Sequence, residues 1–158
     1  MSVRARYIAV VGPGDATPQQ ERDAEVVGHE LAAAGAIVVC GGLGGVMAAA
    51  CRGAQSAGGV TVGLLPGHDR STANPWLTVA IATGMGELRN GLVVRAADAV
   101  VAVAGGFGTL SEIALALKLG RPVVGLGTWD IAAPVARVDD PRAAVQRVLQ
   151  LVTSLSQS

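Results

Sequence analysis

Aromatic residues are almost missing from this chain of 158 residues, which has two tryptophans, one tyrosine and one phenylalanine. Nucleic-acid-binding surfaces usually combine a basic stripe with aromatic platforms on which bases stack. Neither is present, because the 12 basic residues are scattered and are balanced by 12 acidic ones. No nucleic-acid partner is therefore expected. Charge is scarce as well, at 15% of residues against 51% hydrophobic, an apolar balance for a globular chain. Yet no apolar run approaches the ~20 residues of a membrane span, because Gly, Pro or a charge interrupts every candidate. The opening MSVRARYIAVVG puts two arginines before an apolar stretch, as a secretory signal would. Tyr7–Val11 is too short for a signal's hydrophobic segment and runs into Gly12-Pro13-Gly14. These features predict a cytoplasmic protein without membrane contact. Its surplus apolar surface predicts a homodimer or a higher homo-oligomer.

Cysteine, lysine and two nucleotide-binding signatures are also wanting. Cys40 ends an apolar run and Cys51 lies in an Ala-rich one, so both read as small buried hydrophobes. With no further Cys or His at ligand spacing, neither a disulfide nor a metal site is expected. Lys118 is the only lysine and stands just before Gly120, at the end of a helical pattern. That position, away from the edge where ligands bind, argues against a Schiff base with pyridoxal phosphate. There is no G-x-x-x-x-G-K-[ST] stretch, and no acidic residue closes the second strand, which ends in Cys40-Gly41. Neither a P-loop NTPase nor a classical dinucleotide site is expected.

What the chain does have is alternation. Apolar, β-rich runs fall at Tyr7–Val11, Ile37–Cys40, Val60–Leu65, Leu77–Ala82, Ala99–Ala104 and Pro122–Leu126. Helical patterns fall at Pro18–Ala34, Gly45–Ala57, Leu88–Ala97, Leu110–Leu119 and from Pro141 to about Ser154. Thr17-Pro18-x-Gln20 and Asp140-Pro141 carry the signatures of helix starts. The alternation predicts an α/β fold: one Rossmann-like, nucleotide-binding domain over residues 1–158, with a doubly wound parallel sheet of six to seven strands and helices on both faces. The polar stretch Gly67–Pro75, with His68, is a candidate mobile flap.

Glycines collect where strands end: Gly12 and Gly14, then Gly41, Gly42, Gly44 and Gly45, then Gly84 and Gly86, then Gly105, Gly106 and Gly108. In an open α/β sheet these loops share the carboxyl edge, where the ligand crevice lies. The most informative is AVVAVAGGFGTLSE, from Ala99 to Glu112, a buried-strand run that breaks into glycines and restarts as a helix. Free N–H groups in the first turn of such a helix hold an anion, usually a phosphate. Candidate ligand contacts are therefore the first-loop and second-loop glycines, Met85, Arg89 and Asn90, and the turn Gly105, Gly106, Phe107, Gly108 and Thr109. Arg89 stands near a helix start, where the dipole disfavours a cation, which favours a role in binding an anion. Glu112 has two compatible readings. It completes a capping box with Thr109, or it is a crevice carboxylate for acid–base work or for stabilising an oxocarbenium ion. Trp76 and Trp129 read as packing residues more than as stacking ones.

Gly105-Gly106-Phe107-Gly108-Thr109-x-x-Glu112 resembles the PGGxGTxxE motif of the Lonely guy family of cytokinin-activating nucleotide phosphoribohydrolases. Gly41–Met47 resembles the second glycine loop of the same superfamily, and Arg89 lies nine residues before Asp98, as the catalytic arginine of that family lies before its Ala-Asp pair. The family has Arg-Lys where this chain has Arg89-Asn90, and Pro where it has Ala104. The longer stretch from Gly84 to Gly127 looks closer to a sister group, the molybdenum-cofactor-carrier-like proteins, which are similar in part to the Rossmann domain of DNA-processing protein A. The carrier-like resemblance implies binding of a phosphorylated small molecule, a nucleoside monophosphate or a molybdopterin-type pterin. It requires no cofactor, though the molybdenum cofactor is a candidate cargo. The Lonely guy resemblance implies instead a phosphoribohydrolase in which Arg89 and Glu112 are catalytic. The label lysine decarboxylase, given to some members of the superfamily, is at odds with the position of Lys118.

Overall fold

Successive residues of a strand point to opposite faces, so a run that is apolar throughout needs cover on both. In the computed structural model, which describes residues 4–158, β1 (Tyr7–Val11) has that cover. Ile8 and Val10 pack with α1 (Pro18–Ala33), α2 (Val46–Ser56) and α5 (Pro141–Ser156). Ala9 and Val11 pack on the other face with α3 (Asn90–Ala96) and α4 (Phe107–Lys118). The remaining strands are β2 (Ile37–Cys40), β3 (Thr61–Leu65), β4 (Val79–Ala82), β5 (Ala99–Val103), β6 (Val123–Leu126) and β7 (Val135–Val138). They form one seven-stranded sheet in the order β4-β3-β2-β1-β5-β6-β7, with every pairing parallel. The expected Rossmann-like architecture therefore forms. The chain winds one way from β1 to β4, returns, and winds the other way from β5. Its switch point, where such sheets bind ligands, lies between β1 and β5.

Some elements differ from expectation. β7 was not among the expected runs; its half-buried VARV sequence carries a weak apolar signal at the sheet edge. The helix expected over Leu88–Ala97 is a 3₁₀ turn, Gly86–Arg89, running into the short α3. Gly67–Pro75, expected as a flap, is anchored at both ends. The buried Asn74 donates its N–H to the Gly42 carbonyl at 3.0 Å and its side-chain amide to the Leu43 carbonyl at 3.1 Å. The Gly84 N–H reaches the Gly67 carbonyl at 2.8 Å. These bonds tie the loop to the second glycine turn and to the connection that follows β4.

The strand-to-glycine turn after β5 is made in an unusual way. Ala104 has φ 57°, the only positive φ outside glycine among the described residues, and its N–H donates to the Leu126 carbonyl at 3.0 Å. Proline, with φ held near −65° and no N–H, fits neither condition. The departure from the PGGxGTxxE pattern is thus built into the backbone of this turn. A left-handed residue with a Cβ costs on the order of 1–2 kcal/mol. Ala104→Gly is expected to stabilise the fold by up to about 1 kcal/mol after the greater chain entropy of glycine is subtracted, and Ala104→Pro to destabilise it severely. Urea unfolding of both variants checks this; a destabilised Ala104→Gly would show that the turn carries no such strain.

Candidate functional site

Four helix starts separate into two kinds. α1 is closed by its own side chains, with the Gln20 N–H donating to Thr17 Oγ1 at 3.2 Å and the Thr17 N–H to Gln20 Oε1 at 3.0 Å. α5 is closed by Asp140, which accepts from the Ala143 N–H at 2.9 Å. α2 and α4, whose first turns follow Gly45 and Gly106, have no side-chain cap. The Val46 N–H that opens α2 donates to the Pro13 carbonyl at 3.1 Å; the other first-turn N–H groups and the dipoles of both helices are directed to the carboxyl edge of the sheet, where an anion would satisfy them.

Close approach explains several glycines there. A Cβ on Gly12 would lie 2.5 Å from the Val103 carbonyl oxygen and 2.6 Å from Val46 Cγ1, so β1 passes tightly between β5 and α2. One on Gly45 would lie 2.6 Å from the Gly14 carbonyl oxygen, so the first and second glycine loops touch. Gly44 and Gly14 line the same contact at ordinary spacing. Gly42 serves the frame instead. It has φ 78°, its N–H reaches Cys40 Sγ at 3.3 Å, and its carbonyl accepts from Asn74.

Arg89 closes the 3₁₀ turn and is buried, 8% exposed. Its guanidinium donates through Nη1 to Asn90 Oδ1 and through Nη2 to the Gly41 carbonyl at 3.4 Å. Its Nε is buried without any partner. A Cβ on Gly41 would come within 2.6 Å of Nη2, so the second loop needs glycine where the arginine lies over it. Asn90 continues the chain, donating through Nδ2 to Ser111 Oγ at 3.3 Å, while Ser111 Oγ donates to the Gly108 carbonyl at 2.7 Å. Where the Lonely guy pattern has a second cation, this chain thus has an amide that links Arg89 to the first turn of α4.

The capping-box reading of Glu112 is not what forms. α4 begins at Phe107 behind Gly106, so Thr109 and Glu112 are interior residues of the helix on its buried stripe with Ile113 and Ala116. Because the glycine turn itself enters the helix, the expected start at Leu110, with Thr109 as cap, came three residues late. Glu112 is 7% exposed. Burial pushes its carboxyl from the ordinary 4.5 up to about 7, against the opposing pull of the Arg89 charge. An acid held near neutrality beside a buried cation is equipped for proton transfer.

This environment has a cost that depends on pH. The folded carboxyl keeps its proton to about pH 7, whereas the unfolded one loses it near its ordinary value. Stability therefore falls as pH rises through the interval between, by roughly 3 kcal/mol in all, and is level above it. Glu112→Gln cannot ionise and should lack this slope, so its stability advantage over the natural chain should be larger at pH 8 than at pH 5. Urea unfolding at the two pH values checks this; an advantage that does not change with pH would refute the raised pKa.

Two contributors were not placed at the glycine turn by the sequence. Trp129, in the β6–β7 connection, donates Nε1–H to the Gly106 carbonyl at 3.0 Å, and its ring would meet a Cβ on Gly105 at 2.7 Å. It is a packing residue that shapes the glycine turn and tilts against Phe107, with ring centroids 5.8 Å apart. Ser111 becomes visible only once the helix start is known, since it then stands three residues after Gly108. Phe107, at 83% exposed, and Met85 border the site from outside. Asp98 is not part of it. Its Oδ2 accepts from the Tyr7 N–H at 2.9 Å at the amino edge of the sheet. Lys118, the last residue of α4, is at that edge too.

The cysteines, read as small buried hydrophobes, are neighbours, with Sγ atoms 3.5 Å apart and both buried as free thiols. The hydrogen bond with Cys51, and then burial, push the Cys40 thiol well above its ordinary range. Among the described residues no group of three or more Cys, His, Asp and Glu could hold a metal ion, and no helix is long and apolar enough to cross a membrane.

The arrangement has known counterparts. Residues 5–153 match the SLOG cluster4 family. An uncharacterized protein of Archaeoglobus fulgidus is 44% identical over 143 residues, covering 90% of this chain and 94% of that one. The molybdenum cofactor binding protein of the phototrophic bacterium Rippkaea orientalis superposes with a TM-score of 0.87 at 35% identity, over 98% of this chain and 99% of that one. For the molybdenum cofactor carrier protein of Chlamydomonas reinhardtii the TM-score is 0.88 at 36% identity, over 95% and 99%.

Proposed function

This chain belongs to the SLOG cluster4 family, and from that premise we propose that it binds a phosphorylated small molecule at the carboxyl edge of its sheet. The ligand is a nucleoside monophosphate or a molybdopterin-type pterin, with the molybdenum cofactor as candidate cargo. One observation carries this reading: the uncapped starts of α2 and α4 share an edge with a buried arginine whose Nε has no partner. A phosphate would complete the hydrogen bonding of all three. The relatives described as binding or carrying the molybdenum cofactor favour the pterin.

A second reading is supported by Glu112. A buried carboxyl with a pKa of about 7 beside Arg89 suits loss of a base from a nucleoside 5′-monophosphate, with Glu112 stabilising the positive ribosyl ring or positioning water. Incubation with AMP and other nucleoside monophosphates, followed by chromatography of free base, separates the two readings. Base release that disappears in Glu112→Gln supports the phosphoribohydrolase. Thermal stabilisation by the ligand without release supports the carrier, and neither effect overturns both.

The expected homo-oligomer has a candidate face. Val79 and Ile81 on the edge strand β4 are 43% and 45% exposed, and Leu88 on the adjoining 3₁₀ turn is exposed as well. Light scattering at micromolar concentration tests it; a monomer would overturn it.

A further inference from the structure

Three basic residues from two separate stretches of the sequence come together in space. Arg4 and Arg6 precede β1, and Arg121 joins α4 to β6. The parallel sheet brings all three to its amino edge, opposite the site described above. There they line a cavity of about 220 Å³, together with Asp98 and with Val152 and Leu155 of α5.

The charges in this cavity are not balanced. None of the three arginines is ion-paired with a described residue, although three other arginines of the chain are. Asp98 is the one carboxylate in the lining, and its Oδ2 is already engaged by the Tyr7 N–H. Arg6 spends one donor on the Ala34 carbonyl, at the end of α1, at 3.1 Å. Arg121 Nε is buried with no hydrogen-bond partner at all. The carboxyl ends of helices also point to this edge and supply partial negative charge. Arg6 and Arg121 both lie at such ends, of α1 and α4, yet the Arg121 Nε is left without a partner. Three guanidinium groups and one carboxylate leave a surplus of two positive charges, which a doubly charged oxyanion would balance. Guanidinium forks match its oxygens in pairs, and Val152 and Leu155 offer an apolar wall to whatever group the anion carries.

We propose that the cavity between Arg4, Arg6 and Arg121 is a second anion site, independent of the Arg89 site, that takes a phosphate dianion, either free or as a monoester. The two sources share one chemistry and differ only in contact with the wall. A free anion should bind here no more weakly than a monoester if the wall is idle, and more weakly if the wall is used.

Titration of the ¹⁵N-labelled natural chain with inorganic phosphate, and separately with AMP, tests this without any mutation. The expected result is saturable amide shifts at Arg4–Tyr7, Arg121 and Val152–Ser156 that persist in Arg89→Ala. In Arg121→Gln, affinity at this edge should fall at least tenfold, and raising the salt concentration should weaken it in the natural chain. Shifts confined to the glycine turns and the start of α4, no saturable shift with either probe at millimolar concentration, or unchanged affinity in Arg121→Gln would each overturn the proposal. The Arg89→Ala background keeps its failure distinct from failure of the carboxyl-edge site.

Discussion

Arg89→Ala is expected to weaken binding of a nucleoside monophosphate by a factor of about 10 to 100. A hydrogen bond to a charged group contributes roughly 1.5–3 kcal/mol, and each 1.4 kcal/mol is a tenfold change in affinity. The loss should not be recovered by Arg89→Lys. The natural side chain reaches Asn90 Oδ1 and the Gly41 carbonyl through separate nitrogens and keeps Nε in reserve. An ammonium is a point charge without that fork. Gly41→Ala should mimic much of the effect, because its Cβ would sit 2.6 Å from Nη2 and push the guanidinium aside. Calorimetric titration of the three variants, each first shown to be folded by circular dichroism, gives the answer. An unchanged affinity in Arg89→Ala would remove this residue from the site.

The second large effect concerns a residue far from any ligand. Gly28 lies in the middle of α1, where alanine would ordinarily be better by up to about 1 kcal/mol. A Cβ there would run into the Ala50 carbonyl of α2, with the carbonyl carbon at 2.7 Å. Gly53 of α2 stands in the same relation to Glu25 of α1, whose carbonyl carbon its Cβ would meet at 2.8 Å. The two helices thus touch backbone to backbone at both points, and no side chain can rotate away to make room. Overpacking of a well-filled contact costs about 1–3 kcal/mol, occasionally more, and a rigid backbone contact belongs at the top of that range. Gly28→Ala should therefore lower stability by about 2–3 kcal/mol, or Tm by roughly 6–10 °C for a chain of this size. Gly28→Val should prevent folding. Thermal and urea unfolding measure this. A Gly28→Ala protein as stable as the natural one would mean that helix propensity outweighs the contact.

These two residues show where sequence reading succeeds and where it stops. Arg89 could be picked out because it stands beside glycines at a helix start, and electrostatics alone makes a cation there unusual. Gly28 carries no such mark, since a mid-helix glycine reads as a mild defect until α2 is laid across it. Thr17 and Asp140 were legible because a cap is made within three residues of itself. Thr109 misled for a related reason: its spacing to Glu112 fits a capping box, but the helix had already begun at Phe107.

Local periodicity and chain direction settled the rest of what could be read in advance. Runs such as Ala99–Val103, apolar on both faces, require a covered parallel strand, and a parallel sheet puts every strand-ending glycine on one edge. The architecture, and the edge on which the candidate site is proposed, follow from those two facts alone. Long-range packing decided what the candidate site is made of. Arg89 meets Gly41 across 48 residues, and Trp129 meets Gly106 across 23. The burial that carries Glu112 toward neutrality comes from the packing of α4 in the core, not from its neighbours in sequence. The same packing gathered Arg4, Arg6 and Arg121 at the opposite edge. Such encounters depend on which elements lie against one another, and no local propensity encodes that.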